Sequence, residues 1–394
     1  MKLFYITNAR IPTEKAHGLQ IMQMCEAFVR QGFDVELVLP RRKNPIKEDA
    51  FLYYGIDKNF TIKYLPSPDW AMSKPYLKRI IFLIQSALFA FFAKRFVKNQ
   101  IKEKDFIIYS RDLFTLYLLR NSVSQDKIVF EAHNFPKKLL PWHKKLFSKL
   151  EKIVVISHAL EEDFKKNFPH LKILLARDGF DESLFAKIPS KNDARKLLNI
   201  EADAKLILYT GQLFWWKGVE TLIKSKLFWQ SAASLYVVGG LPEDTNKLEG
   251  FTEMLELKDI FFAGQKPSKE IPLYLAAADL VVVPNSGKAE ISQRYTSPLK
   301  VFEAMAAGKP IVASKLPSLC EILNEKTALF FEADNAGDLA EKIDFLLKRL
   351  DLAEALGKNA KEESRNYSWD FRANLIKNFL INPCLPVGRP TPNL

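Results

Sequence analysis

A chain of 394 residues is long enough for two or three domains, and a 48% hydrophobic share with 12% aromatics supplies large cores. Lysine and arginine number 58 against 46 acidic residues, a formal charge of +12 that favours an anionic partner: a nucleotide, a phospholipid surface or a nucleic acid. Zinc-finger spacing, an RNP-like aromatic motif and an Arg-rich tract are absent from the sequence, which argues against nucleic acid, and the odd set Cys25, Cys320 and Cys384, without metal-type spacing, argues for a reducing cytoplasm over a disulfide framework.

In chain order, Lys2-Leu3-Phe4-Tyr5-Ile6 is too short an apolar run for a signal peptide and reads as a first strand. A polar loop, 7–17, leads to Gly18 and a helix with Ile21, Met24, Cys25 and Phe28 on one face. Gly32 ends that helix, and 35–39 is the second strand. Strand, loop, helix and strand imply a parallel sheet. No Gly-x-Gly-x-x-Gly comes after the first strand, so a dinucleotide site is not expected. Gly18 either lets backbone approach a ligand at a helix start or simply makes a turn.

Residues 76–99 stand out. Ile80-Ile81-Phe82-Leu83-Ile84 and Ala87-Leu88-Phe89-Ala90-Phe91-Phe92 are strongly apolar, and Lys74, Lys78, Arg79, Lys94, Arg95 and Lys98 flank them. The apolar part is shorter than the roughly 20 residues that span a bilayer. Two readings stay open: a helix packed on the sheet, and a helix in the membrane interface with its basic ends on lipid phosphates.

Strands recur at 106–110, 127–130, 153–156 and 171–176. Arg111, His133 and Ser157 come after the first three, beyond the carboxyl ends where open α/β sheets bind ligands. Arg177-Asp178-Gly179-Phe180-Asp181 makes a turn, Asp181 can cap the segment after it, and a domain boundary is expected near residue 185.

The alternation then repeats. After a strand at 205–209, Gly211, Lys217 and Gly218 precede a helix. Two glycines and a lysine there suit a phosphate, although the spacing is not a Walker A motif and a punctuated turn is the plain alternative. Strands come next at 235–238, 260–264 and 280–283, with Gly239 and Gly240 after the first. The loop 285–296 opens into SPLKVFEAMAAGKPIVAS, residues 297–314. Ser297 reads as an N-cap, Pro298 as the first turn and Gly308 as the stop before a buried strand at 311–313. Free N–H groups at Ser297 to Leu299 suit a phosphate, and Glu303 on the second turn can reach towards its bearer. A strand at 328–331, helices at about 336–349 and 351–365, and a final helix from Ser368 complete the pattern, and the tail from Pro383 reads as disordered.

SPLKVFEAMAAGKPIVAS, preceded by AAADLVVVP and a loop, resembles the donor segment of family 4 (group 1) glycosyltransferases. KAHGLQIMQMCEAF, EAHN, the turn at Asp178 to Asp181 and the Gly211 to Gly218 stretch resemble further segments of that family in the same order, to about residue 380. The resemblance implies the GT-B fold: α/β, two Rossmann-like doubly wound domains facing a cleft. Residues 1–184 would bind the acceptor, 185–367 a nucleotide sugar, and a helix at 368–382 would cross back to the first domain. It also implies roles. Glu303 stands where the family holds the ribose, and His133 where a histidine lies beside the donor sugar. Lys217 and Arg294 become the cations for the diphosphate, with Gly18, Gly211, Gly239, Ser297, Pro298 and Leu299 along the donor. His133 and Lys217 are the catalytic candidates. Two positions depart from the family pattern. Tyr295 replaces the first glutamate of Glu-x7-Glu, for which Glu290 or Arg294 could substitute, and Gln212 replaces an arginine on the diphosphate.

The implied reaction is retaining transfer from a nucleotide-diphosphate sugar to a glycan or lipid-linked acceptor, without metal or separate cofactor. The expected setting is cytoplasmic, with peripheral contact to an anionic inner membrane face and no nucleic-acid partner. A sugar-nucleotide epimerase of the same fold and a non-catalytic nucleotide binder remain the alternatives.

Overall fold

The computed structural model describes residues 1–70, 75–100 and 105–381, with backbone alone at 75–79. The expected tail from Pro383 lies outside the described residues. Seven parallel strands form one sheet: β1 (Lys2–Ile6), β2 (Asp34–Pro40), β3 (Thr61–Leu65), β4 (Phe106–Ser110), β5 (Ile128–Ala132), β6 (Lys152–Val155) and β7 (Lys172–Leu175), in the order β3-β2-β1-β4-β5-β6-β7. Six more form a second: β8 (Lys205–Thr210), β9 (Ala233–Val238), β10 (Ile260–Gly264), β11 (Leu280–Val283), β12 (Ile311–Ser314) and β13 (Leu329–Phe331), in the order β10-β9-β8-β11-β12-β13. Both sheets are doubly wound. The strand order reverses between β1 and β4, and again between β8 and β11.

The central strands are legible because helices cover both faces, so their sequences are continuous aliphatic runs; Leu280 to Val283 is buried throughout. The sequence pattern does not single out β3. It is an edge strand whose five residues include three exposed ones, so it lacks the continuous apolar run of the central strands.

The chain forms two compact units, Asp178–Phe371 and the remainder, which Met1–Arg177 begins and the chain from Arg372 rejoins. The division falls at Asp178, ahead of residue 185. Phe180 and Phe185 are buried in the second unit's core, and Phe180 bridges to Ser368. Asp181 caps the helix Glu182–Ala186 as expected, accepting from the Ser183 amide at 2.9 Å.

From Arg372 on, the helix Trp369–Ile381 belongs to the first unit and is tied to its sheet through polar groups. Arg372 donates to the Ala176 carbonyl at 3.2 Å and to Glu131 Oε2 at 3.3 Å, and Lys152 Nζ donates to the Leu380 carbonyl at 3.0 Å. Arg372 and Glu131 are both buried. Burial alone would raise the Glu131 carboxyl, but Arg372, His133 and Arg111 outweigh it and hold it well below the usual carboxylate range. Arg372→Met leaves that carboxylate short of its cation, and should cost about 3–5 kcal/mol in urea unfolding at neutral pH. The loss should shrink as pH falls through the acid range, because a carboxyl depressed in the fold takes up its proton on unfolding. A cost near zero at pH 7 would contradict this role.

Candidate functional site

Two sets of polar side chains gather at carboxyl ends of strands, one in each unit. In the second unit the set lies at the β8–β11 switch point. Gly211 comes after β8 at φ +124°, and Gly239 after β9 at φ +121°. A Cβ on Gly239 would sit 2.2 Å from the Gly211 carbonyl oxygen, so only glycine lets the two loops meet backbone to backbone.

Lys300, in the first turn of the helix Leu299–Ala306, lies against this turn. Its Nζ is 3.9 Å from the centroid of the Tyr209 ring, and a Cβ on Gly211 would lie 3.6 Å from that nitrogen. Lys300 is 6% exposed, and its ammonium has no hydrogen-bond partner among the described residues. Lys217 ends the turn Trp215–Lys217 with its Nζ 4.0 Å from the Trp216 ring centroid. Burial lowers Lys217 from 10.5 to about 7. Burial also lowers Lys300 well below the lysine range, and the neighbouring Lys217 charge pushes the same way. Glu303, half-buried one turn on, is raised to about 7 by burial, against the pull of Lys300.

Uncompensated polarity extends around the lysines. Thr210 Oγ1, at the end of β8, has no partner among the described residues, and neither does either amide atom of Asn285, which lies just past β11 and is fully buried. Buried polar groups are nearly always hydrogen-bonded, so this concentration at one strand edge marks a binding surface rather than a core.

Several expected donor residues take different positions from those the pattern suggests. Pro298, not Ser297, is the N-cap of Leu299–Ala306. The Ser297 hydroxyl instead accepts from the Asp178 amide at 3.0 Å. Pro298 has no N–H, so of the three residues 297–299 only Ser297 and Leu299 can offer one. The Arg294 guanidinium lies 5.5 Å from the Tyr295 ring centroid. Trp216 is half-buried and stacks on Phe214, and Trp215 is 65% exposed.

In the first unit the anchor is Glu131 on β5. It accepts from Gln20 Nε2 at 2.8 Å and lies 2.5 Å from His133 Nε2. Tyr109 donates its hydroxyl to the same carboxylate. Arg111 donates to Gln20 Oε1 at 2.5 Å, so Arg111 and His133 are drawn to one point at the end of the sheet. His17 belongs here too: burial, then Arg111, lowers it to about 4, which keeps it neutral through the physiological range. The other two candidates have partners within the fold. Ser157 is a buried N-cap on the Leu160 amide. Gly18 makes room, because a Cβ there would meet the Tyr54 hydroxyl at 2.1 Å, and its amide already donates to the Lys15 carbonyl.

Comparison with known proteins decides the family of the second unit. Residues 190–363 match Glycosyl transferases group 1. This part of the chain is a group 1 glycosyltransferase domain. Sulfoquinovosyl transferase SQD2 of Arabidopsis thaliana is 30% identical over 203 residues, covering 50% of this chain and 37% of its own. An N,N'-diacetylbacillosaminyl-diphospho-undecaprenol alpha-1,3-N-acetylgalactosaminyltransferase of Campylobacter jejuni is 30% identical over 193 residues, 48% of each chain. The chain spans about half the length of the curated relatives it matches. Among solved structures, sucrose-phosphate synthase of Thermosynechococcus elongatus aligns with TM-score 0.76 at 20% identity, over 96% of this chain and 98% of its own. Anabaena HepE in complex with UDP aligns with TM-score 0.69 at 18% identity, over 96% and 99%. These identities speak for the fold, which is GT-B.

The group 1 domain contains Gly211, Lys217, Gly239, Arg294, Ser297, Pro298, Leu299 and Glu303, whereas Gly18 and His133 lie outside it. Lys300 is the site residue that the family pattern does not single out. A readable signal was there: a cation in the first turn of a helix opposes the helix dipole, which is unfavourable unless something anionic sits beside it. Lys300→Met should therefore raise the melting temperature measured at pH 7 without added nucleotide, by several degrees. A lysine lowered in the fold and ordinary when unfolded binds its proton on unfolding, so the wild type gains stability as pH rises, and the variant's advantage should fade towards about pH 10. A lower melting temperature for the variant at pH 7 would contradict the desolvated state of Lys300.

Proposed function

We propose that the protein transfers a sugar from a nucleoside diphosphate sugar to an acceptor hydroxyl, with retention of configuration, in glycan or glycolipid assembly. The observation that carries this reading is the pair Lys217 and Lys300, two lysines without an ion-pair partner among the described residues, at the switch point of a group 1 domain. A diphosphate answers both. As the sugar–phosphate bond breaks, negative charge grows on the departing nucleotide, and fixed ammonium groups in a dry site stabilise it. The lysines supply the positive charge a divalent ion would otherwise bring, so the proposed reaction uses none.

Glu303 is assigned to the ribose. With its carboxyl near pH 7, it can accept from a hydroxyl when ionised. The amides of Ser297 and Leu299 add donors at the helix start. His133, oriented by Glu131, is assigned to a sugar hydroxyl. The arginine that Gln212 replaces has a local substitute in Lys300, whose ammonium lies beside Gly211 in the same turn. The name of one relative, which acts on a diphospho-undecaprenol sugar, supports a lipid-linked acceptor, and the HepE complex makes UDP-sugars the first donors to try.

A thermal-shift screen of UDP-, GDP- and ADP-sugars, with a second assay for nucleotide release in the presence of candidate acceptors, tests the reading. Acceptor-dependent release is expected, and Lys217→Met or Lys300→Met should each lower kcat/KM by about 10–100-fold, the worth of one charge-assisted contact. Sugar isomerisation without an acceptor would make it an epimerase. Unchanged donor use by both variants would overturn the assignment of the lysines.

A further inference from the structure

The helix Pro75–Gln100 is apolar on its outer as well as its inner face over its described side chains. Gln85 and Ser86 are buried, and the Ser86 hydroxyl accepts from Asn8 Nδ2 at 2.9 Å and donates to the Phe82 carbonyl at 2.7 Å. Ile80, Leu83, Ile84 and Phe91 are meanwhile 43–57% exposed. These four, with half-buried Ala87, recur at three- and four-residue steps and form one stripe. Arg95 and Lys98 continue the same stripe and are exposed. Ordinary amphipathic helices on a sheet turn polar side chains outward, and an outward stripe of large apolar side chains marks an interaction surface.

The charge pattern selects the partner. From Pro75 to Gln100 the sequence contains no aspartate or glutamate, and Ile80 to Ala93 carries no charge at all. Lys94, Arg95 and Lys98 form no ion pair among the described residues. A protein partner of mixed surface charge would leave this pattern without purpose. An anionic lipid surface uses both halves of it, with the apolar side chains at the acyl boundary and the basic end among phosphates.

Residues Ile80–Gln100 are long and apolar enough to cross a bilayer, beyond the shorter run suggested by the sequence alone. Their inner face is already committed. Phe89, Ala90, Ala93 and Val97 are fully buried, and Phe96 packs edge-on to Phe4 of β1 with centroids 5.6 Å apart. A spanning helix would have to leave the sheet, whereas one lying flat keeps its packing. We infer that Pro75–Gln100 is a docking face that lays the first unit on an anionic bilayer, with Leu83, Ile84 and Phe91 inserted and Arg95 and Lys98 at the headgroups. The docking face goes beyond the transfer reaction and does not depend on it.

Flotation of the full chain with vesicles of phosphatidylcholine, with and without a third of phosphatidylglycerol, tests this. The wild type should float with the anionic vesicles and lose binding as salt rises. Two variants, Leu83→Ser/Ile84→Ser/Phe91→Ser and Arg95→Glu/Lys98→Glu, should each bind about tenfold or more weakly, since each removes one of the two contributions. Both change exposed side chains, so melting temperature and nucleotide binding should stay as in the wild type. No flotation of the wild type, or flotation of both variants like the wild type, would overturn the proposal. A wild-type dimer in sedimentation that both variants dissociate, without vesicle binding, would give the face to a second copy instead.

Discussion

Two neighbouring lysines without a counter-ion, whose charges the fold disfavours, are what the second unit must sustain. Folding does not favour such an arrangement by itself, because each ammonium loses water and repels the other. The surrounding fold makes it tolerable by rigid means. Gly211 and Gly239 lock two loops backbone to backbone, the Tyr209 and Trp216 rings offer their faces to the two ammonium groups, and the helix carrying Lys300 is buried along Val301, Phe302 and Met305. Binding energy stored this way is released when an anion arrives, so a site that weakens the fold is one that binds and stabilises developing charge well.

The first unit solves the opposite electrostatic problem. Glu131 is a single buried carboxylate with several donors around it: Arg372, Gln20, Tyr109 and His133. It is satisfied, and it spends its contacts on geometry. One of them fixes the helix Trp369–Ile381 to the sheet, and another fixes the orientation of His133. The same carboxylate therefore couples the integrity of the unit to the placement of its candidate catalytic imidazole.

How far the sequence could be read depends on the physical demand each residue reports. Buried parallel strands announce themselves, because covering both faces demands continuous apolar runs such as Leu280 to Val283. Edge strand β3 does not, since exposure removes that demand. Motif residues in the turns, Gly211 and Lys217 above all, stood out as glycine and lysine between strand and helix, where a punctuated turn and a phosphate site share one pattern. Gly18 shows the limit: its reason is the Tyr54 hydroxyl, a residue far along the chain that no local pattern announces. Ser157 and Ser297 illustrate the same limit, since a hydroxyl at a helix start serves a cap, another amide or a ligand equally well. Glu131 became visible only through the burial of its charge, a three-dimensional fact, and the burial of Lys300 gave meaning to a cation already conspicuous in the first turn of its helix. The helix Pro75–Gln100 was conspicuous in composition, yet which side faces outward required the packing of Gln85 and Ser86.

Proton uptake on nucleotide binding probes the lysine pair most directly. Titration calorimetry with UDP at pH 8, in buffers of different ionisation enthalpy, reports it. At that pH Lys217, lowered to about 7, is mostly neutral, and a bound diphosphate should return it towards its ordinary 10.5. Net uptake of protons that falls in Lys217→Met, and falls further when Lys300→Met is added, is the expected result. Tight binding without uptake, or with proton release, would mean that these ammonium groups do not hold the diphosphate.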